Sequence, residues 1–90
     1  MSWAVRIAKD VKHDISRLPS DFAEEAVAII GELLEDPFPS GSLKMRGYSN
    51  HYRMRFGAYR IIYKVDSQRK SVTVLRVRPR STAYRGMRNP

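Results

Sequence analysis

At 90 residues the chain has room for one modest hydrophobic core and is short of the size at which two domains become usual, so residues 1–90 are expected to form a single domain. Its 17 Lys and Arg against 9 Asp and Glu give a net charge of +8, which favours a polyanionic partner over a membrane surface. The absence of cysteine excludes disulfides and thiolate catalysis, and His13 and His51 alone match no metal-ligand spacing.

Taken in order, Trp3, Val5 and Ile7 alternate with Ala4 and Arg6, which predicts a short first strand. Between Lys9 and Leu18 the residues Val11, Ile15 and Leu18 recur at i, i+4 and i+7, one face of a short helix that Pro19 should end. A second helix is expected to run to about Glu35, capped by Ser20 or Asp21, with Ala23, Ala26, Val27, Ile30, Leu33 and Leu34 as its apolar stripe. The stretch PFPSGS, Pro37 to Ser42, must leave the helix and reverse the chain.

Leu43 to Arg46 is expected to be a short strand before a turn at Gly47. The stretch HYRMRFGAYRIIYK, His51 to Lys64, then reads as two strands joined at Gly57. In the first, Tyr52, Met54 and Phe56 point one way and Arg53 and Arg55 the other; in the second, Tyr59, Ile61, Tyr63 and Val65 oppose Arg60, Ile62 and Lys64. One face is apolar and the other basic. A last strand covers Ser71 to Arg78, in which Arg76 and Arg78 share parity with Val72 and Val74, and Pro79 should end its pairing. The tail to Pro90 is basic and carries Tyr84. The predicted class is α+β, a first strand and two helices packed on an antiparallel sheet.

Charge is unevenly placed along this framework. Met1 to Asp36 has four Lys and Arg against eight acids, a balance of −4, whereas Pro37 to Pro90 has thirteen against Asp66 alone, a balance of +12. A polyanion should meet the second part. No apolar run reaches the roughly 20 residues of a membrane span, and MSWAVRIAKD lacks the apolar region of a signal peptide, so a cytoplasmic location without membrane contact is expected.

The stretch LKMRGYSNHYRMRFGAYRIIYKVD followed by VTVLRVRPRSTAYRG resembles the RelE/ParE superfamily of bacterial type II toxins, whose hairpin has the pattern YRxRxGxYRxxY. The resemblance covers nearly the whole chain. It implies the same order of strand, two helices and antiparallel sheet, and it implies one of two activities: RelE-like members cleave messenger RNA on the ribosome, whereas ParE-like members inhibit DNA gyrase. Carried over by motif, the residues of RelE-like cleavage fall on Arg53, Arg55, Arg60, Arg80 and Tyr84. Arginine replaces lysine at the first two, and Pro79 stands where many relatives have histidine.

On this resemblance the expected function is a ribosome-dependent, metal-independent endoribonuclease, an mRNA interferase without a cofactor. Such cleavage needs the 2′-hydroxyl deprotonated, the phosphorane charge held and the 5′-oxygen protonated. Arginine forks onto phosphate but is a poor base, so Arg60 and Arg80 are assigned to transition-state charge, Tyr84 to proton transfer or base stacking, with His51 as an outside candidate. Arg53, Arg55, Lys64, Arg76 and Arg78 are the expected RNA-binding set. Alternating arginines on a half-exposed strand also fit a plain solvated face, and a terminal tyrosine also fits packing on the sheet. A gyrase inhibitor and a non-catalytic RNA-binding module are the alternative functions. The resemblance further implies a cognate antitoxin as inhibitory partner, besides ribosome and mRNA.

Overall fold

In the computed structural model, which describes residues 3–87, the alternating stretches form one five-stranded sheet. Its strands are β1 (Ala4–Ile7), β2 (Leu43–Lys44), β3 (His51–Phe56), β4 (Tyr59–Asp66) and β5 (Ser71–Pro79), in the order β1-β5-β4-β3-β2. The helices α1 (Val11–Ser16) and α2 (Ser20–Leu33) carry the chain from one edge strand to the other. Three reversals then bring β5 back beside β1 and parallel to it, while every other neighbouring pair is antiparallel. The α+β class is as expected, with a mixed sheet.

Both helices pack on one face of that sheet. Val11, Ala26, Ile29 and Leu33 meet Phe56, Ile61, Tyr63, Val72, Val74 and Val77, all buried. The stripe on α2 is centred differently from the expected one. Phe22, Ala26, Ile29 and Leu33 face the sheet at helical spacing, and Val27 and Leu34 are exposed, because Val27 lies about 100° round the helix from Ala26. Neither Ser20 nor Asp21 caps α2. Ser20 is already helical, and Pro19 stands at the N-cap with its carbonyl accepting from the Ala23 amide at 2.9 Å.

The hairpin closes through Gly57 and Ala58, with Phe56 paired to Tyr59. Gly57 has φ +57°, and a Cβ there would lie 2.9 Å from the Phe22 ring, so both backbone and packing call for glycine.

On β5 the register steps from Tyr63 opposite Val74 to Ile62 opposite Arg76, which leaves Leu75 as an extra residue, a β-bulge. This corrects the expected parity. The bulge gives Val77 the core position, and Arg76 and Arg78 pair in register with Ile62 and Arg60. That second face carries only a small cluster, Met45, Ile62 and Ala83, flanked by Tyr48, Leu75 and Met87. The C-terminal segment, not a helix, covers it.

Candidate functional site

Across the face turned away from the helices, Arg55 of β3 stands directly opposite Arg60 of β4, which stands directly opposite Arg78 of β5. The next row is Arg53, Ile62 and Arg76. Like charges placed opposite one another on a ladder destabilise it. Among the described residues there are two ion pairs, Arg69 with Asp66 at a distant turn and Arg78 with Asp14 of α1. Arg53, Arg55 and Arg60 therefore face one another with no carboxylate between them.

Arg60 is the organised member of the row. It is only 6 % exposed, and its Nη1 donates to the carbonyls of Tyr59 at 2.9 Å and Gly57 at 3.3 Å, both in or beside the hairpin turn. No buried side-chain nitrogen among the described residues lacks a partner, so the other guanidinium nitrogens reach solvent. Arg60 also lines a cleft of about 400 Å³ with Gly41, Leu43, Arg53 and Arg55. Three arginines and no acid line that cleft, a composition that suits a phosphate diester.

Arg53 also borders a second cleft, of about 300 Å³, with Lys44, Arg46, Tyr48 and Tyr84. Its Nη1 donates to the Tyr84 hydroxyl oxygen at 2.9 Å, which ties the C-terminal segment to β3. Arg53 thus borders both clefts, the one with Arg55 and Arg60 and the one with Tyr84. Arg80 is exposed beyond the last ladder pair; its amide donates to the Ala58 carbonyl at 2.8 Å, and it lines a shallow concavity of its own with Ala58, Pro79 and Ser81. Lys64 lies near the opposite end of the hairpin, beside Asp66 and Gln68. The guanidinium groups of Arg76 and Arg78 are engaged inside the protein, Arg76 on the carbonyls of Ala83 and Arg85, Arg78 on Asp14. His51 is buried at the start of β3, four residues from Arg55, and its Nδ1 pairs with the Ser49 carbonyl at 2.7 Å.

Lys44, Arg46, Tyr48 and Asp14 were not among the expected residues. Lys44 and Arg46 alternate just ahead of the Gly47 turn, a signal like that of Arg53 and Arg55. Asp14 falls three residues after Val11 and four before Leu18, on the apolar side of α1, which marks it as a carboxylate bound for the interior. No cluster of three or more His, Cys, Asp or Glu among the described residues is placed to hold a metal ion, and no helix among them is long and apolar enough to cross a membrane.

Residues 5–84 match the family described as the ParE toxin of type II toxin–antitoxin systems, parDE. The chain belongs to that family. It is similar to the toxin RelG of Mycobacterium tuberculosis, with 29% identity over 94% of this chain and 99% of the relative. It is also similar to the archaeal RelE in the RelE–RelB complex of Pyrococcus horikoshii, with 30% identity, a TM-score of 0.76 and coverage of 92% of this chain and 100% of that one. The RelBE2 toxin–antitoxin complex of Mycobacterium tuberculosis gives the same TM-score at 25% identity, over 88% of this chain and 99% of the other. The protein is a type II toxin of the RelE/ParE family, and its five-stranded mixed sheet with two helices is the fold of RelE toxins.

Proposed function

We propose that this toxin is an endoribonuclease that cleaves messenger RNA in the ribosomal A site. The observation that carries this reading is the direct opposition of Arg55, Arg60 and Arg78 across three strands, with Arg53 in the next row. A fold keeps such an arrangement against its electrostatic cost where a polyanion offsets it. The resemblance to RelE-like toxins supplies the reaction.

In this reading the scissile phosphate enters the Arg53–Arg55–Arg60 cleft. Arg60, largely desolvated and held by two carbonyls, meets the charge that develops on the non-bridging oxygens as the 2′-oxygen attacks. Arg80, beside the turn, supplies further positive charge from the edge. Arg53 and Arg55 position the RNA backbone. Tyr84, with its oxygen beside the Arg53 guanidinium, is the group that moves a proton or stacks on a base. Among the other expected RNA contacts, Lys64 contributes long-range attraction from the far end of the hairpin, and Arg76 and Arg78 contribute charge but no free fork.

The partner in the resting state is a cognate antitoxin. The RelB-bound structures of related toxins support it, as does the +12 balance of Pro37 to Pro90, which favours acidic residues on the partner. Co-expression with the adjacent open reading frame should yield a co-purifying complex and restore growth.

A translation reaction with a reporter mRNA tests the activity. Cuts within codons that arise only with ribosomes present are the expected result. Intact mRNA with accumulating gyrase-cleaved DNA would replace this reading by gyrase inhibition, and intact mRNA without DNA damage would leave a binding module.

A further inference from the structure

Tyr84 is held at both ends, and the two anchors lie in one row of the sheet. Its hydroxyl oxygen accepts from Arg53 Nη1, and the carbonyls on either side of it, those of Ala83 and Arg85, both accept from Arg76 Nη1, the first at 3.2 Å. Arg53 and Arg76 flank the fully buried Ile62 on β3 and β5, so the segment around Tyr84 spans β4. Ala83 is fully buried against Ile62 and Met45. At Gly86 φ is +75°, a local reversal just after the Arg85 carbonyl that Arg76 binds.

We infer that Arg76 is a positioning residue for Tyr84: its guanidinium holds the Ala83 and Arg85 carbonyls, which bracket the tyrosine in the chain, and so sets where the ring and hydroxyl stand over the basic face. The inference rests on the proposed ribonuclease reading for its kinetic consequence, but not for its geometry. Arginine suits the task because the two N–H bonds of its Nη1 amino group lie fixed in the guanidinium plane and can serve two carbonyls from one orientation, which an ammonium rotating on a flexible stem does less well. The clamp has an electrostatic cost. Burial, and next to it the charge of Arg78, lower the proton affinity of Arg76, with the Asp14 carboxylate a smaller opposing influence. A residue present only to attract RNA would gain nothing from half-burial beneath the chain's own tail.

Fluorine NMR of the whole chain, uniformly labelled with 3-fluorotyrosine, reads the clamp directly. The five tyrosines give separate probes, and Tyr84→Phe assigns the one of interest. Arg76→Ala should move the Tyr84 resonance toward the free amino acid position, as Arg53→Ala does in part, while those of Tyr52, Tyr59 and Tyr63 stay in place. A Tyr84 resonance that does not move overturns the inference. If Arg76→Ala unfolds the protein, Arg76→Met decides in the same way, since it keeps an unbranched aliphatic stem over the sheet and has no N–H to donate.

Single-turnover cleavage then separates positioning from bulk charge. Arg76→Ala should slow the chemical step by roughly tenfold or more with ribosome affinity within about twofold, and should add little further loss in a Tyr84→Ala background. A loss of affinity with an unchanged rate, persisting without Tyr84, would assign Arg76 to general attraction and overturn the clamp's role in the reaction. Should the unmodified chain cleave nothing on ribosomes, the ribonuclease reading falls, and the fluorine experiment still decides the clamp.

Discussion

The carboxylate of Asp14 on α1 meets Nε of Arg78 on β5 at 3.2 Å, and the same group accepts the Val77 amide at 3.1 Å. β1 stops pairing at Val74, so the outer edge of β5 beyond it would otherwise present a buried donor without a partner. Asp14, 7 % exposed, closes that edge and counters one end of the arginine row. Asp14→Ala leaves the amide unsatisfied and the cation less compensated. Allowing for the partial exposure of Arg78, the expected loss is about 2–3 kcal/mol of unfolding free energy. Urea denaturation measures it, and a change under about 0.5 kcal/mol would rule out this role.

Arg60 and Arg80 are both assigned to phosphate, but their surroundings differ. Arg60 is buried and pre-oriented by the turn carbonyls, whereas Arg80 is exposed and outside the three-arginine cleft. A preoriented, desolvated donor gives more to the transition state than a mobile one in water. Arg60→Gln should therefore lower the single-turnover cleavage rate by about 10²-fold or more with near-normal ribosome binding, and Arg80→Ala by less. Equal effects, or a larger one at Arg80, would shift the reaction centre toward the Ala58 edge.

Tyr84→Phe and Tyr84→Ala distinguish the two chemistries open to the tyrosine. The phenylalanine keeps a ring that can stack but gives up the oxygen that Arg53 holds. If Tyr84 moves a proton, both variants are slow. If it stacks, Phe is close to wild type and Ala loses about 1–3 kcal/mol of binding to the base. Single-turnover rates with saturating ribosomes, compared with rates at low ribosome concentration, separate the outcomes.

Much of this arrangement was legible because the hairpin obeys strict alternation. Arg53 and Arg55 follow from period 2 alone, and so does the placement of Arg60 with Ile62 opposite the Tyr59, Ile61 and Tyr63 face. Parity failed on β5 because a bulge at Leu75 adds one residue to the strand, and nothing in VTVLRVR announces where a ladder will slip. The contacts that Arg76 and Arg78 make were illegible for a related reason. Their partners, the carbonyls of Ala83 and Arg85 and the Asp14 carboxylate, come from a folded-back tail and from a helix 64 residues earlier, contacts that no local pattern contains. The helix stripe on α2 was misplaced by the exposed Val27 and Leu34, apolar residues one turn position away from the true seam.

Tyr63 offers a pH test of the fold that is independent of any activity. It is fully buried, its hydroxyl donates to the Pro37 carbonyl at 2.7 Å, and burial pushes its pKa up to about 12. In the unfolded chain a tyrosine titrates near 10, so between about pH 10 and pH 12 the native state retains a proton that the unfolded state gives up. Stability from this group is therefore fully present below pH 10 and is lost as pH rises toward 12, by about 2–3 kcal/mol in all. Tyr63→Phe has no proton to lose. It should be less stable than wild type at pH 8 by about 1 kcal/mol, the worth of the hydrogen bond, and should show a shallower decline above pH 10. Denaturation midpoints of the two proteins from pH 8 to pH 12 check this; parallel curves would mean that the hydroxyl ionises as freely in the native state as in the unfolded one, and that the Pro37 contact is not maintained in solution.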